Sequence, residues 1–105
     1  MNRADTTDHN DQKTALVIDP KDNVAVALTD FSKGDECTVI TGEHQRLITV
    51  IEDIAFGHKL AIKPIEENES VLKYGEEIGK MCVSVAAGAW IHSHNMYCER
   101  GMKRD

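Results

Sequence analysis

The fold of this chain depends on a turn pattern that is clearest in Val85-Ala-Ala-Gly88-Ala-Trp-Ile91, where a glycine lies midway between two apolar residues. Gly88 can take the positive φ of a tight turn, and the flanking apolar residues can then both return to a core. The same spacing recurs at Phe31 to Cys37, Ile54 to Leu60 and Leu72 to Ile78, with glycine at positions 34, 57 and 75. An apolar-rich chain with seven glycines gives some such matches by chance, but four of the seven favour a shared turn.

Short apolar segments with β-branched residues lie between these turns, as is typical of strands. They are residues 15–18, 24–28, 38–40, 47–51, 59–65, 70–72 and 78–83. The continuous apolarity of Val24 to Leu28 predicts a strand buried on both sides. Asp19 to Asn23 has the chemistry of a turn, and Glu66 to Glu69 that of a solvated loop. No window of twelve residues keeps a helical period, although Met81 to Ala87 could form one turn of helix. The sequence predicts a mostly β fold.

A chain of 105 residues predicts one small domain. We expect it to extend from residue 14 to residue 97, between a disordered N-terminal tail at 1–13 and a polar C-terminal tail at 98–105. The 18 acidic and 12 basic residues give a formal charge of -6, which argues against nucleic acid or an anionic membrane as partner. The N-terminal residues include no apolar stretch for a signal peptide or membrane anchor, so a cytoplasmic location is expected.

The three cysteines, Cys37, Cys82 and Cys98, lack Cys-x-x-Cys spacing, so the sequence suggests neither a disulfide framework nor a thiolate zinc site. Cys37 and Cys82 lie in apolar segments, where a buried structural role is favoured over a nucleophile. Cys98 is expected to be exposed.

His92 and His94 are the first candidates for chemistry. If Trp90 and Ile91 lead into an extended strand, alternate side chains leave on one face, and the two imidazoles point together with Asn95 beside them. Imidazoles bind zinc and first-row transition metals, so a metal site is one interpretation, and surface or structural histidines are the other. Two ligands are not a site, and His58 could be a third if the fold brings it close.

Two further segments suit an anionic ligand. His58-Lys59 follows Gly57, and a cation beside an imidazole suits a carboxylate, although a solvated loop fits these residues equally well. Tyr74, in Lys73-Tyr74-Gly75, could hydrogen-bond a ligand or cover the core with its hydroxyl in water. The sequence has no P-loop, Rossmann or Gly-x-Ser-x-Gly motif.

Four segments taken in order resemble a known family. They are Asp22-Asn23-Val24-Ala25-Val26-Ala27-Leu28, Gly57-His58-Lys59-Leu60-Ala61, Lys73-Tyr74-Gly75-Glu76-Glu77-Ile78-Gly79 and Gly88-Ala89-Trp90-Ile91-His92-Ser93-His94-Asn95. Together they are similar to the N-terminal SAF-type domain of altronate and galactarate dehydratases, which in some members is a separate small subunit. The family pattern near the end is commonly His-Thr-His-Asn, and Ser93 keeps the hydroxyl.

The resemblance implies a β-clip, a long hairpin folded over on itself, and a lyase that removes water from a sugar acid to give a 2-keto-3-deoxy acid. It implies a separate large subunit as partner and a divalent metal, possibly Fe²⁺, shared with or held by that subunit. On this basis His92 and His94 are assigned to catalysis or to the metal. His58, Lys59, Tyr74 and Asn95 are assigned to the substrate. A homo-oligomer is also possible.

Other functions stay open on the sequence. The small subunit of a sulfolactate sulfo-lyase, which expels sulfite in place of water, is similar to the same segments. A free-standing SAF-type module that binds a carbohydrate or carboxylate without reaction is an alternative of another class. A purely structural clamp for a large subunit is a third.

Overall fold

A computed structural model describes residues 12–98, and in this range the chain forms nine strands and no helix. The strands are β1 (Thr14–Val17), β2 (Val24–Ala27), β3 (Glu36–Thr41), β4 (His44–Thr49), β5 (Lys59–Ala61), β6 (Ser70–Lys73), β7 (Glu76–Met81), β8 (Trp90–Ile91) and β9 (Met96–Tyr97). The predicted mostly β class is confirmed. The predicted turn of helix at Met81 to Ala87 is wrong, because β7 includes Met81 and Val85 pairs with Ile65. Nearly all of both predicted tails lies outside the described residues.

The larger sheet has six strands in the order β4-β3-β1-β2-β5-β8. Within it β1 and β3 are parallel, and the other neighbouring pairs are antiparallel. The smaller sheet has the order β6-β7-β9 and is antiparallel. The predicted strand from Lys59 to Ile65 ends early, at Ala61, because the chain bends at Ile62 and Lys63. This bend carries the chain from the first sheet towards the second. Within the described range, no helix is long and apolar enough to cross a membrane.

Four segments share one geometry, and we call them return turns: residues 31–36, 54–59, 65–70 and 85–90. In each, the backbone N–H of the fifth residue donates to the carbonyl of the second at 2.9 to 3.2 Å. The fourth residue has a positive φ, which is 95° at Gly34, 86° at Gly57, 70° at Asn68 and 91° at Gly88. The turns meet in pairs through antiparallel bridges, Phe31 with Ile54 and Ile65 with Val85. The chain therefore folds over on itself at two places, as a β-clip requires.

The turn pattern read from the sequence was right at three positions and wrong at one. Gly75 does not belong to a return turn but, with Tyr74, forms the two-residue hairpin turn between β6 and β7. Both residues have positive φ, 58° and 79°, as in a type I′ turn. The fourth return turn instead uses Asn68, in the stretch predicted as a solvated loop. Asparagine tolerates the left-handed conformation, so a search for glycine alone missed it.

The core consists of two clusters of buried side chains. The first contains Ala15, Val17, Ala25, Ala27, Phe31, Cys37, Val39, Val50, Ile54 and Leu60, and the second Val24, Ala61, Ile65, Val71, Met81 and Ile91. β2 contributes to both clusters, in agreement with its predicted burial on two sides. Cys37 is buried and Cys98 exposed, as expected, but Cys82 is exposed. The Cys82 prediction is wrong because the strand ends at Met81, which takes the buried position instead.

Two polar residues before β2 join the sheets. The Asn23 side chain donates to the Ser70 carbonyl at 2.9 Å and accepts from the Leu72 N–H at 2.8 Å. The buried Asp22 carboxylate accepts from the N–H groups of Tyr74 and Gly75 at 2.9 and 2.8 Å. The first turn of the chain therefore fixes the position of the β6–β7 hairpin.

Candidate functional site

The pairing of β5 with β8 brings His58 beside His92. Lys59 lies opposite Ile91 and Leu60 opposite Trp90 in an antiparallel register. The residues just beyond these pairs, His58 and His92, therefore also face each other. Their ring centroids are 4.9 Å apart. The pairing of β5 with β8 therefore places the segment with His58 beside the segment with His92. The sequence had given this proximity only as a possibility.

Trp90 lies at the centre of the site and contacts three imidazoles. Its ring stacks on His92, with centroids 5.6 Å apart and an interplanar angle of 12°, and lies 4.5 Å from the His94 ring. Its indole Nε1 donates a hydrogen bond of 3.1 Å to Nδ1 of His58. We call His58, Trp90, His92 and His94 the Trp–His cluster.

The reason given for pairing His92 with His94 does not hold, because β8 ends at Ile91 and residues 92–95 form a turn. The N–H groups of Asn95 and Met96 both donate to the His92 carbonyl at 3.0 Å. His94 reaches the cluster because this turn folds it back onto Trp90. The two imidazoles therefore both contact one indole because of a turn, and not because of strand alternation.

Asn95 holds this turn closed. Its side chain is 6% exposed, its Oδ1 accepts from the His92 N–H at 3.0 Å, and its Nδ2 donates to the Trp90 carbonyl at 2.9 Å. Both ends of the carboxamide are therefore bonded to the backbone of the cluster. The predicted contact of Asn95 with a substrate stays a prediction.

The charge environment favours neutral His92. The pKa of this imidazole is lowered, first by partial desolvation and then by Coulombic repulsion from His58, Lys59 and His94. Although the side chain is exposed, its stacking on Trp90 removes part of its hydration. At neutral pH His92 therefore offers an unprotonated ring nitrogen, which can accept a proton or bind a metal.

Two lysines extend the positive character of the site. Lys59 is half-buried, and its pKa is lowered by desolvation and by the nearby charge of Lys73. Lys73 lies with its Nζ 4.9 Å from the Tyr74 ring centroid. Within residues 12–98 neither lysine forms a salt bridge. Although the chain has a formal charge of -6, its described part thus has two lysines without a salt bridge, Lys59 near His92 and Lys73 near Lys59. An anion would be attracted there.

An open depression of about 410 Å³ borders Trp90, lined by Asp30, Phe31, Ser32, Asp53, Ile54, Ala55 and Trp90. Its two carboxylates accept backbone hydrogen bonds of 2.8 Å, Asp30 from Phe56 and Asp53 from Lys33. Their negative charge disfavours an acidic ligand. The lysine-bearing part of the site is therefore the better place for a carboxylate.

A metal would need more ligands than this cluster provides. Within the described range, no three His, Cys, Asp or Glu side chains are placed to hold an ion. His58 Nδ1 already accepts the Trp90 hydrogen bond. His92 and His94 therefore fit a metal ion only as part of a set completed by other groups.

The structure brings together most of the residues singled out in the sequence. His58, Lys59, His92 and His94 lie close to one another, with Asn95 beneath the turn. Tyr74 is 56% exposed beside Lys73, on the hairpin fixed by Asp22. The sequence did not predict that Trp90 contacts all three histidines, or that Lys73 provides a second cation near Lys59. As the single tryptophan, between a turn glycine and two histidines, Trp90 offered a signal that could have been used.

Fold and site together define a small all-β domain built from paired return turns, with three histidines in contact with one tryptophan and Lys59 near His92. Residues 13–99 match the family model described as the altronate/galactarate dehydratase SAF domain. The chain therefore belongs to this SAF domain family, as its sequence segments predicted.

Relatives of two kinds share this domain. Altronate dehydratase of Escherichia coli is 42% identical over 80 residues, which are 76% of this chain and 15% of that protein. The (2R)-sulfolactate sulfo-lyase subunit alpha of Chromohalobacter salexigens is 41% identical over 88 residues, 81% of this chain and 94% of that subunit. Its counterpart from Paracoccus pantotrophus is 36% identical over 64 residues, 61% of this chain and 96% of that subunit. The chain thus spans about one sixth of altronate dehydratases and nearly all of the alpha subunits.

Proposed function

We propose that this chain is the small component of a two-component hydroxy-acid lyase, acting with a separate large subunit as an altronate- or galactarate-type dehydratase. The observation that carries the proposal is the Trp–His cluster with Lys59 near His92 and Lys73 near Lys59. It combines proton-transfer groups with cations that form no salt bridge within the described residues, as the elimination of water from a hydroxy acid needs. The family relationship with lyases supports the reaction class.

The proposed reaction removes the proton α to the carboxylate and the hydroxyl on the next carbon, leaving an enol that becomes a 2-keto-3-deoxy acid. Lys59 and His58 bind the carboxylate, and Tyr74 contacts the sugar chain. His92, which is neutral, accepts a proton or binds the metal, and His94 shares these tasks. Asn95 is retained as a substrate contact and also holds the histidine turn.

A divalent metal, possibly Fe²⁺, would stabilise negative charge that develops on the carboxylate side of the substrate. In this proposal His92 and His94 supply two of its ligands and the large subunit supplies the rest. Because no three His, Cys, Asp or Glu side chains within residues 12–98 are placed to hold an ion, this proposal takes the other ligands from the large subunit. The half-site also explains why we expect the isolated chain to be inactive.

Reconstitution tests this proposal. The purified chain is mixed with a candidate large dehydratase subunit, and dehydration of altronate and galactarate is followed by formation of the 2-keto-3-deoxy acid. We expect turnover only in the mixture, and its loss in the His92→Ala/His94→Ala double variant, with Ser93→Ala as the matched control in the same turn. Full turnover in the double variant would overturn the catalytic assignment. Binding of a sugar acid by the isolated chain, without turnover in any mixture, would support a free-standing binding module instead.

A sulfolactate sulfo-lyase is the second candidate, and the extent of the match favours it. This chain covers 94–96% of the alpha subunits but only 15–16% of the altronate dehydratases. The proposed half-site serves this reaction equally well, since sulfite leaves from the carbon next to the one that loses a proton. The same mixture is therefore assayed with sulfolactate. Release of sulfite without dehydration of sugar acids would assign the chain to the sulfo-lyases.

A further inference from the structure

We propose that Trp90 is a positioning residue that fixes the His58 ring with its proton on Nε2, so that His58 meets a substrate oxygen as a hydrogen-bond donor. The role of His58 towards a substrate rests on the proposed function. The tautomer of His58 rests only on the geometry of the Trp–His cluster. Neither the family match nor the relatives' names assign a role to Trp90.

The direction of the hydrogen bond decides the tautomer. Trp90 Nε1 lies 3.1 Å from His58 Nδ1, and an indole N–H can donate but cannot accept. His58 Nδ1 must therefore present its lone pair. In a neutral imidazole the proton is then on Nε2, at the opposite side of the ring. This nitrogen is left to face solvent, substrate or the large subunit as a donor.

The indole is held firmly enough to act as a reference point. The backbone N–H of Trp90 donates to Glu52 Oε1 at 3.3 Å, and the backbone carbonyl of Trp90 accepts from Asn95 Nδ2 at 2.9 Å. The ring packs against the first core cluster and stacks on His92. Backbone bonds on both sides and packing on the ring thus restrict Trp90, and through it His58.

The consequence is a division of roles between two adjacent histidines. His58 provides an N–H, which suits a carboxylate or hydroxyl oxygen of the substrate. His92 stacks on the same indole without a hydrogen bond to it and keeps its ring nitrogens for a proton or a metal. One tryptophan thereby gives two imidazoles 4.9 Å apart different functions.

Nuclear magnetic resonance of the wild-type chain, labelled with ¹⁵N, tests the tautomer directly. We expect a scalar coupling across the hydrogen bond between Trp90 Nε1 and His58 Nδ1, together with a protonated Nε2 on His58. The Trp90→Phe variant should lose the coupling. A His58 ring protonated on Nδ1 in the wild type, or no detectable coupling, would overturn the proposal. The wild-type measurement does not require any variant to fold.

Kinetics of the reconstituted enzyme separate positioning from general stability. Trp90→Phe should lower kcat/KM about tenfold, since roughly one hydrogen bond is affected. His58→Gln keeps a side-chain N–H that does not depend on Trp90, so adding Trp90→Phe to it should have little further effect. Additive losses in the double variant would overturn the proposal. If the mixture turns over no acid, the proposed function fails, while the resonance experiment still decides the tautomer.

Discussion

Asn95 donates a hydrogen bond from its Nδ2 to the carbonyl of Trp90 at 2.9 Å, across the turn that contains both histidines of the His-x-His segment. Its Oδ1 accepts from the His92 N–H at 3.0 Å. The turn is thus closed by a side chain with 6% exposure, because residues 92–95 make few backbone bonds of their own. Together with the backbone N–H groups of Asn95 and Met96, which donate to the His92 carbonyl at 3.0 Å, this side chain holds the turn that places His94 against Trp90.

Replacing Asn95 by alanine should destabilise the chain by about 2–3 kcal/mol, because a backbone N–H and a carbonyl lose their buried partner together. Urea unfolding monitored by Trp90 fluorescence measures the change. Ser93→Ala, an exposed site in the same turn, should shift stability by less than about 0.5 kcal/mol. Equal effects of the two substitutions would contradict the assigned role of Asn95.

Gly88 should tolerate alanine far less well than Gly34, although both have φ near 90°. A Cβ at Gly88 would press against the Thr49 carbonyl and lie 3.1 Å from the Val50 Cα, whereas nothing lies within 4 Å at Gly34. Gly34→Ala should lower the free energy of unfolding by about 1–2 kcal/mol, because alanine is strained in the left-handed conformation. Gly88→Ala should lower it clearly more, because the backbone of Thr49 and Val50 must also move. Melting temperatures of the two variants test this, and similar values would show that strain, not contact, dominates at Gly88.

Tyr74 keeps a strained backbone at a position proposed to bind substrate. With φ of 58° it precedes Gly75 in a type I′ turn, where asparagine is the preferred residue. Tyr74→Asn should therefore raise the free energy of unfolding by roughly 0.5–1 kcal/mol and raise the KM of the reconstituted enzyme. Tyr74→Phe is the matched control, because it keeps the strain and the ring but removes the hydroxyl. A Tyr74→Asn variant that is less stable than wild type would contradict the strain argument.

The lowered pKa of Lys59 predicts a specific pH dependence of stability. Between this lowered value and the ordinary 10.5, the unfolded state binds a proton that the folded state does not, so folding becomes more favourable as pH rises. Lys59→Met should be more stable than wild type at pH 7 and should lack this rise. Denaturant unfolding at several pH values measures the difference between the two proteins.

Wild type and Lys59→Met must be compared with each other because Cys37 changes stability with pH in the opposite direction to Lys59. Burial raises the pKa of its thiol from 9.0 to about 11, so its contribution is complete below pH 9 and is lost as pH rises towards 11. This contribution cancels when wild type and Lys59→Met are compared. Lys73→Met should raise the pKa of Lys59 and reduce the alkaline rise without abolishing it. An unchanged rise would show that Lys73 does not act on Lys59.

The histidines of the site could be named from the sequence, but their arrangement could not. His58 and His92 meet because of the register between β5 and β8, which depends on pairings formed far apart along the chain. His94 reaches Trp90 through a turn, where strand alternation had been expected. Both imidazoles contact the same indole, but the strand alternation predicted for them is wrong.

The mostly β class and three of the four return turns could be predicted from the sequence, because glycine spacing and short apolar segments are local properties. The family could be predicted from the resemblance of four ordered segments. The remaining features depend on the tertiary structure. It placed Asn68 in the fourth turn, left Cys82 exposed, and used Asp22 and Asn23 to join the two sheets. It also made Trp90 the centre of the site. These features depend on which distant segments share a hydrogen bond or a buried surface, and no local pattern specifies that.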